Sequence, residues 1–154
     1  MTALSIVINI VQAALLSTSM ILMVGEKIRK NEIVAFAIIY GLAVPLARSI
    51  YGVMHAPFYT HTMILITIAI LLYKFLIKLS WLKAAAATLL GVTIMFITDA
   101  LIVVQVIKLF DLTVQEITNN MVLYTLLTSI TSLVMLLIIV LNRITGISLF
   151  NPQD

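Results

Sequence analysis

The sequence predicts an all-α integral membrane protein, a bundle of five transmembrane helices with the N-terminus out and the C-terminus in. Hydrophobic residues make up 63% of the 154 residues and charged residues 10%, whereas a soluble domain has about 45–50% and about 25%. Mean hydropathy is +1.23. Since a transmembrane helix takes about 20 apolar residues, the chain holds about five spans and little else. We therefore expect a single transmembrane domain over residues 1–154.

Five apolar runs account for the predicted spans. The first, residues 3–24, has no charge before Glu26 and lacks the basic start and cleavage site of a secretory signal, so it is expected to be retained. The second contains Pro45 and Arg48, and a proline inside a helix predicts a kink. The remaining runs are bounded by polar turns. The predicted spans are about 3–24, 33–54, 59–79, 82–107 and 121–141.

The distribution of lysine and arginine predicts the orientation. Basic residues concentrate in alternate loops, and cytoplasmic loops are enriched in Lys and Arg. Residues 55–58 and 111–120 carry none, so these two loops are predicted to lie outside. Lys108 opposes this orientation weakly, because a long side chain can reach headgroups. We expect a multi-pass protein of the bacterial inner membrane. The basic residues that define the inner side are Lys27, Arg29, Lys30, Lys74, Lys78, Lys83 and Arg143.

Composition and motifs exclude several function classes. The net charge of +3 lies mainly in loops that face lipid headgroups, which predicts the bilayer as a partner and argues against nucleic acid. The absence of cysteine excludes disulfides and thiolate chemistry. The sequence has no Gly-rich phosphate loop, nucleophile elbow or zinc-binding HExxH motif, so we expect neither an enzyme nor a cofactor. His55 and His61 are six residues apart, which is not the spacing of a helical metal pair, and no metal is expected.

Small and hydroxyl-bearing residues indicate where helices meet, since helix contacts in lipid rely on them. Ala84–Ala87 opens the fourth span, and Ala87 with Gly91 forms a small-xxx-small pair. The hydroxyl face of the fifth span can serve close packing or line a solute path; it consists of Thr125, Thr128, Ser129, Thr131 and Ser132. Aromatic residues near span ends are interpreted as interface anchors; they are Tyr51, Phe58, Tyr59, Tyr73, Trp81 and Phe110.

Arg48 and Asp99 are the candidate functional pair, because charges inside the hydrocarbon region usually face a partner or a water-filled cavity. Both lie some five residues past the middle of spans that run in the same direction, roughly 7 Å from the midplane. A structural ion pair explains them most simply. Alternatively they belong to an outward-facing polar pocket. Its other members would be Asn9, Gln12, Tyr59, His61 and Tyr124.

In the pocket interpretation, Arg48 is the fixed positive group that holds a carboxylate or phosphate. A proton relay through Asp99 and His61 is a further alternative, and His61 could sense external pH because imidazole titrates near neutrality.

Several short segments carry a resemblance to a known family. They are Tyr40-Gly41-Leu42, Leu46-Ala47-Arg48-Ser49, Pro57-Phe58, His61-Thr62, Leu79-Ser80-Trp81-Leu82-Lys83-Ala84 and the closing Ile144 to Asn151. Together they resemble the N-terminal membrane sensor of Firmicute sensor histidine kinases with a Spo0B-like or GHKL-type catalytic part. The resemblance implies signal input, an output partner in the membrane or cytoplasm, and a homodimer.

The kinases of that family continue into a phosphoacceptor histidine and an ATP-binding domain, whereas this sequence stops at Asp154. We therefore expect an excised sensor module or a standalone relative, without kinase activity. Two other function classes stay open. One is a small transporter or substrate-binding transport subunit, and the other is an interaction or immunity-type protein that works by binding another membrane protein.

Overall fold

The computed structural model describes residues 3–27, 29–54, 60–113, 116 and 120–150, apart from the side chains of residues 3, 48–54, 121 and 124. Throughout these ranges the chain is helical or in turns, without a strand, so the all-α prediction is confirmed. The described part contains five long helices. They are α1 (Ala3–Met23), α2 (Lys30–Met54), α3 (Thr60–Leu76), α4 (Trp81–Leu109) and α5 (Met121–Thr145).

Four of these helices are long and apolar enough to cross a membrane, and α3 is apolar but shorter. The predicted third span, 59–79, is too long because the chain turns at Lys78, whose φ is 64°. Ser80 then caps α4, since its side chain accepts a hydrogen bond from the Lys83 N–H at 3.3 Å. α2 continues through Pro45 to Met54. The helices have the properties of a multi-pass membrane protein.

α1 occupies the centre of the bundle, where it packs against α2, α4 and α5. Two glycines allow the close approaches. A Cβ on Gly41 of α2 would lie 2.8 Å from the Cα of Ile10, so the two backbones nearly touch there. A Cβ on Gly91 of α4 would lie 3.0 Å from the Leu16 Cδ1. The small-residue face predicted on α4 is buried, because Ala84 and Ala87 have no exposed surface. Small residues thus set the spacing of the helices.

The tightest packing lies at one end of the bundle, which we call the basic end. It carries the turn at residues 24–27, the turn at 77–80 and the C-terminal segment, residues 146–150. The Phe36 ring lies 4.7 Å from the ring of Tyr73 and 5.5 Å from that of Tyr40, measured between centroids. Met20, Ile21, Val24 and Met135 complete this core with at most 1% exposure. The prediction of Tyr73 as an interface anchor is wrong, because its side chain is 1% exposed.

The C-terminal segment folds back onto the end of α1. Gly146 adopts the left-handed conformation that ends α5, and its N–H donates to the Asn142 carbonyl at 2.8 Å. The Leu149 N–H then donates to the Met23 carbonyl at 2.7 Å. A Cβ on Gly25 would lie 2.6 Å from the Phe150 carbonyl oxygen, so the segment fits only against a glycine. The end of α5 is thereby fixed to the end of α1.

An ion pair between Lys83 and Glu26 joins α4 to the turn after α1 at the basic end. The Lys83 Nζ lies 3.0 Å from the Glu26 Oε1, and it also lies 5.9 Å from the centre of the Phe150 ring. The Lys83 side chain is 13% exposed, so the pair is screened less than a surface pair. It connects the first turn of α4 to the turn after α1 and to the C-terminal segment.

Gly41→Ala should destabilise the protein more than Gly91→Ala does. The first methyl group meets the backbone of Ile10, and overpacking of this kind costs about 1–3 kcal/mol. The second meets the mobile end of a leucine side chain, which can shift, and the helix gains up to about 1 kcal/mol in propensity. Circular dichroism during SDS titration from mild detergent measures both free energies of unfolding. Equal losses in the two variants would contradict the backbone approach at Gly41.

The chain beyond α4 contains a capping box between Thr113 and Glu116. The Glu116 carboxylate accepts hydrogen bonds from the Thr113 N–H at 2.7 Å and from its hydroxyl at 2.8 Å. The Glu116 N–H donates to the Thr113 hydroxyl oxygen at 3.2 Å. Reciprocal bonds of this kind start a helix. They also lower the pKa of Glu116, the backbone hydrogen bond contributing most.

Thr113→Ala should raise the pKa of Glu116 part of the way to its ordinary value, because the hydroxyl bond is lost and the backbone bond remains. In the unaltered protein the box is complete above the ordinary carboxyl pKa and is lost as the pH falls through the lowered folded-state value. A carbon-13 NMR titration of the Glu116 carboxyl in detergent micelles measures its pKa in the variant and in the unaltered protein. A Glu116 pKa that is the same in both proteins would contradict the capping role of the hydroxyl.

Candidate functional site: a cavity between the five helices

A cavity of about 90 Å³ lies between the helices, and all five contribute to its wall. Its volume exceeds the roughly 10–15 Å³ that one water molecule needs, so the cavity can hold ordered water or a solute of a few non-hydrogen atoms. The wall is mostly apolar, as is usual for ligand sites, with a few polar groups among the apolar side chains. The polar members are Asn9, Gln12, Tyr40 and Thr131, and the apolar ones include Leu16, Val44, Met95 and Met135.

Position along the helices places the cavity away from the basic end. Asn9 lies six residues after the start of α1, and Val44 lies fourteen residues after the start of α2, which runs in the opposite direction. The aromatic core lies between the cavity and the basic end, since Phe36 precedes Tyr40 by one helical turn. The cavity therefore lies in the half of the bundle opposite the closely packed basic end.

The amides of Asn9 and Gln12 give the cavity its hydrogen-bonding capacity. Asn9 is 6% exposed and Gln12 is partly buried. Each amide carries two N–H donors and one carbonyl acceptor, so together they can bind a neutral or anionic polar group. Burying an amide in apolar surroundings is costly unless its hydrogen bonds are satisfied. The cavity thus suits a polar solute or ordered water better than an apolar guest.

Asp99 lies directly behind the cavity wall. The hydroxyl of Thr131, which lines the cavity, donates to the Asp99 Oδ1 at 3.3 Å. Thr131 is 4% exposed. Asp99 also begins a π-helical turn, Asp99–Val103, in which the Val104 N–H reaches back to the Asp99 carbonyl. π-helical turns are frequent at functional sites because they shift the direction of a side chain within a helix.

The structure brings together some of the predicted site residues. Asn9 and Gln12 share the cavity wall, and Asp99 is connected to that wall through Thr131. His61 lies at the start of α3, outside the cavity lining, with its Nε2 3.3 Å from the Thr62 hydroxyl oxygen. Tyr59 lies outside the described residues, as do the side chains of Arg48 and Tyr124. The predicted pairing of Arg48 with Asp99 stays a prediction.

The hydroxyl face of α5 is divided between two roles. Ser129 and Ser132 donate to carbonyls one turn earlier in their own helix, at 2.7 and 3.2 Å, as hydroxyls in apolar helices commonly do. Thr131 instead donates to a side chain of α4. Members of the same face therefore make different hydrogen bonds, and its use for close packing or for a solute path stays a prediction.

Sequence reasoning missed Tyr40 as a wall residue and the donor role of Thr131. A signal for Tyr40 was present, because the residue lies in the middle of a span, whereas tyrosines that anchor a helix at a membrane interface lie near its ends. No signal distinguished Thr131 from its hydroxyl neighbours. Within residues 3–27, 29–54, 60–113, 116 and 120–150, no group of three or more His, Cys, Asp or Glu side chains could hold a metal ion.

Comparison of the chain with protein-family models, curated proteins and solved structures gives no match. The resemblance to membrane sensors of histidine kinases therefore stays a prediction.

Thr131→Val should destabilise the protein by about 1–2 kcal/mol, because it removes a donor from the Asp99 carboxylate while keeping the shape of the side chain. Ser129→Ala, which removes an exposed hydroxyl bonded to its own helix, is the matched control and should change stability by about 0.5 kcal/mol or less. The same SDS titration measures both variants. An equal loss of unfolding free energy in Thr131→Val and Ser129→Ala would mean that the hydrogen bond between α4 and α5 contributes nothing beyond local packing.

Proposed function

We propose that the chain is a membrane-embedded signal-input module, oriented with its N-terminus out and its C-terminus in. It binds a small polar solute in the cavity and relays occupancy to an output partner on the cytoplasmic side. The observation that carries this proposal is the position of α5, which lines the cavity with Thr131 and Met135 and holds the C-terminal segment at the basic end.

The uneven packing of the bundle supports a binding site in one half and a relay to the partner through the other. A closely packed core transmits strain, whereas a hollow region can adapt to a guest. In this bundle the cavity is lined by the two amides of α1, and the packed half carries the basic turns. With the basic end in the cytoplasm, as the positive-inside rule favours, the cavity lies toward the outer leaflet.

α5 provides a short mechanical path between the two ends. Met135 lies at the cavity, and Asn142 follows it after seven residues, about 10 Å along the helix axis. The Asn142 Nδ2 donates to the Leu22 carbonyl at 3.3 Å and also to the Ile147 carbonyl. A small rotation or shift of α5 at the cavity would therefore break or strengthen its contacts with α1. Relay of this kind needs two packings that are close in energy.

The cavity restricts the class of solute. About 90 Å³ admits a molecule of a few non-hydrogen atoms, and two amides, a phenol and a hydroxyl suit one that both donates and accepts hydrogen bonds. Arg48 belongs to this proposal as the fixed positive group for a carboxylate or phosphate, because it lies on α2 one turn beyond the wall residue Val44. Replacing Arg48 with Met would then abolish retention of an anion.

A second candidate function is that of an interaction protein in the membrane. The half of α4 that leads away from the basic end exposes several large apolar side chains, including Phe96 at 60%, Leu101 at 67% and Leu109 at 79%. Asp99 is exposed on the same half. A carboxylate exposed within an apolar helix face favours a partner helix that supplies a hydrogen-bond donor or a cation. Transport of the solute through the same cavity is the third possibility.

The lack of cysteine in the chain permits a direct test of the relay. Spin labels on Lys27→Cys and Ile147→Cys, both exposed positions, report the distance between the turn after α1 and the C-terminal segment. Ala13→Leu fills the cavity from its wall. We expect this substitution to shift the distance distribution measured by pulsed electron paramagnetic resonance and to remove small molecules that co-purify with the chain, detected by mass spectrometry.

Ala100→Leu is the matched control, because it adds the same atoms at an exposed position of α4. It should leave the distances and the co-purifying molecules unchanged. Loss of a retained solute in Ala13→Leu without any change in distance would contradict the relay and favour transport. If the unaltered chain and the Ala13→Leu variant both lack a co-purifying solute and have the same distance distribution, an interaction protein becomes the better proposal.

A further inference from the structure

The turn between α3 and α4 exposes aromatic and apolar side chains beside lysines. Phe75 is 68% exposed, Trp81 56% and Leu82 70%. The rings of Phe75 and Trp81 meet edge to face, with their centres 6.0 Å apart. The Lys74 Nζ lies 5.4 Å from the centre of the Trp81 ring. Lys78 is exposed at the tip of the same turn. The surface has an apolar part and a cationic part that adjoin each other.

The charge of this surface is not neutralised within the described part of the protein. The two ion pairs found there join Lys83 to Glu26 and Arg29 to Glu32. They occupy the carboxylates of Glu26, in the turn after α1, and of Glu32, in the first turn of α2. Lys74 and Lys78 are left without an acidic partner among the described residues. Two ammonium groups are therefore available to an external anion.

The backbone of the turn is anchored in the core, which fixes where the two lysines leave the chain. Leu79 is 3% exposed and anchors the turn in the core, and its N–H donates to the Tyr73 carbonyl at 3.1 Å. Lys74 belongs to the π-helical turn Leu72–Leu76, where the Ile77 N–H reaches back to the Leu72 carbonyl. This turn directs Tyr73 into the core, while its neighbours Lys74 and Phe75 lie on the side of Trp81.

We propose that Lys74, Lys78 and Trp81 form a binding site for the headgroup of an anionic phospholipid. The lysines bind the phosphate, the indole ring lies at the level of the headgroups, and Phe75 and Leu82 contact the acyl chains of the same lipid. An amphipathic ring beside basic residues is the arrangement that prefers the membrane interface. The site lies at the basic end, away from the cavity, and does not depend on the proposed sensing function.

Trp81 is the only tryptophan of the chain, so its fluorescence reports on this site alone. The full chain is reconstituted into phosphatidylcholine vesicles that contain a minor fraction of phosphatidylglycerol. Brominated acyl chains, which quench indole fluorescence on contact, are carried either by the phosphatidylglycerol or by an equal fraction of the phosphatidylcholine. We expect brominated phosphatidylglycerol to quench Trp81 more strongly, with a selectivity of about fivefold for each lysine engaged.

Lys74→Gln combined with Lys78→Gln should reduce this selectivity to about one. Two matched proteins accompany it. Lys27→Gln combined with Lys30→Gln removes the same charge from exposed positions of another turn at the basic end and should keep most of the selectivity. Lys74→Arg combined with Lys78→Arg keeps the charge and should retain the selectivity. Circular dichroism verifies that all proteins are folded, which is expected because no substitution removes a buried group.

Three results would overturn the proposal. Equal quenching by the two brominated lipids in the unaltered chain would mean that the surface is an unselective interface anchor. Unchanged selectivity in the Lys74→Gln, Lys78→Gln protein would assign the lipid to another site. An equal loss of selectivity in the control Lys27→Gln, Lys30→Gln would mean that the selectivity depends only on the summed charge of the basic end.

Discussion

The close approach of α1 to its neighbours is the constraint on which the remaining structure depends. The outer surface of this bundle is as apolar as its interior, since large hydrophobic side chains are exposed along every long helix. Little is gained by moving such side chains inward when the surroundings are themselves apolar, so helices associate by van der Waals contact of small residues and by hydrogen bonds. Gly41 and Gly91 permit that contact on two sides of α1. A central helix in contact with three others then determines where space is left over.

The remaining space is not spread evenly. Toward the basic end the rings of Phe36 and Tyr73 fill the gap between α2 and α3, and Ala84 and Ala87 bring α4 close. Beyond Tyr40 no aromatic ring takes up the equivalent volume within the described bundle, and the cavity opens there. The polar amides of α1 line it. A closely packed core toward the basic end and a cavity beyond it, with α5 contacting both, are the physical basis of the proposed relay.

Two π-helical turns place polar residues that a regular helix would direct elsewhere. The first contains Tyr73, whose ring enters the core although the residue lies near the end of α3. No described residue gives the Tyr73 hydroxyl a hydrogen bond, which is costly for a buried group, while its ring packs against that of Phe36. The second turn begins at Asp99 and accompanies its bond to Thr131. In both cases an extra residue in one turn changes which face of the helix the following side chains occupy.

The sequence by itself determined the helical class, the existence of five long helices and most of their ends. Hydropathy reports the length of an apolar run. Ser80 begins a helix and Gly146 ends one through local hydrogen bonds and backbone conformation, which need no distant partner. It also indicated Asn9, Gln12 and Asp99 as unusual, because amides and charges are costly inside apolar helices. Only the tertiary structure decided that Asn9 and Gln12 face one cavity, that Tyr73 is buried and that Thr131 is the partner of Asp99. Those facts depend on the rotation of each helix about its axis, and rotation leaves no trace in a sequence whose apolar residues cover nearly every face.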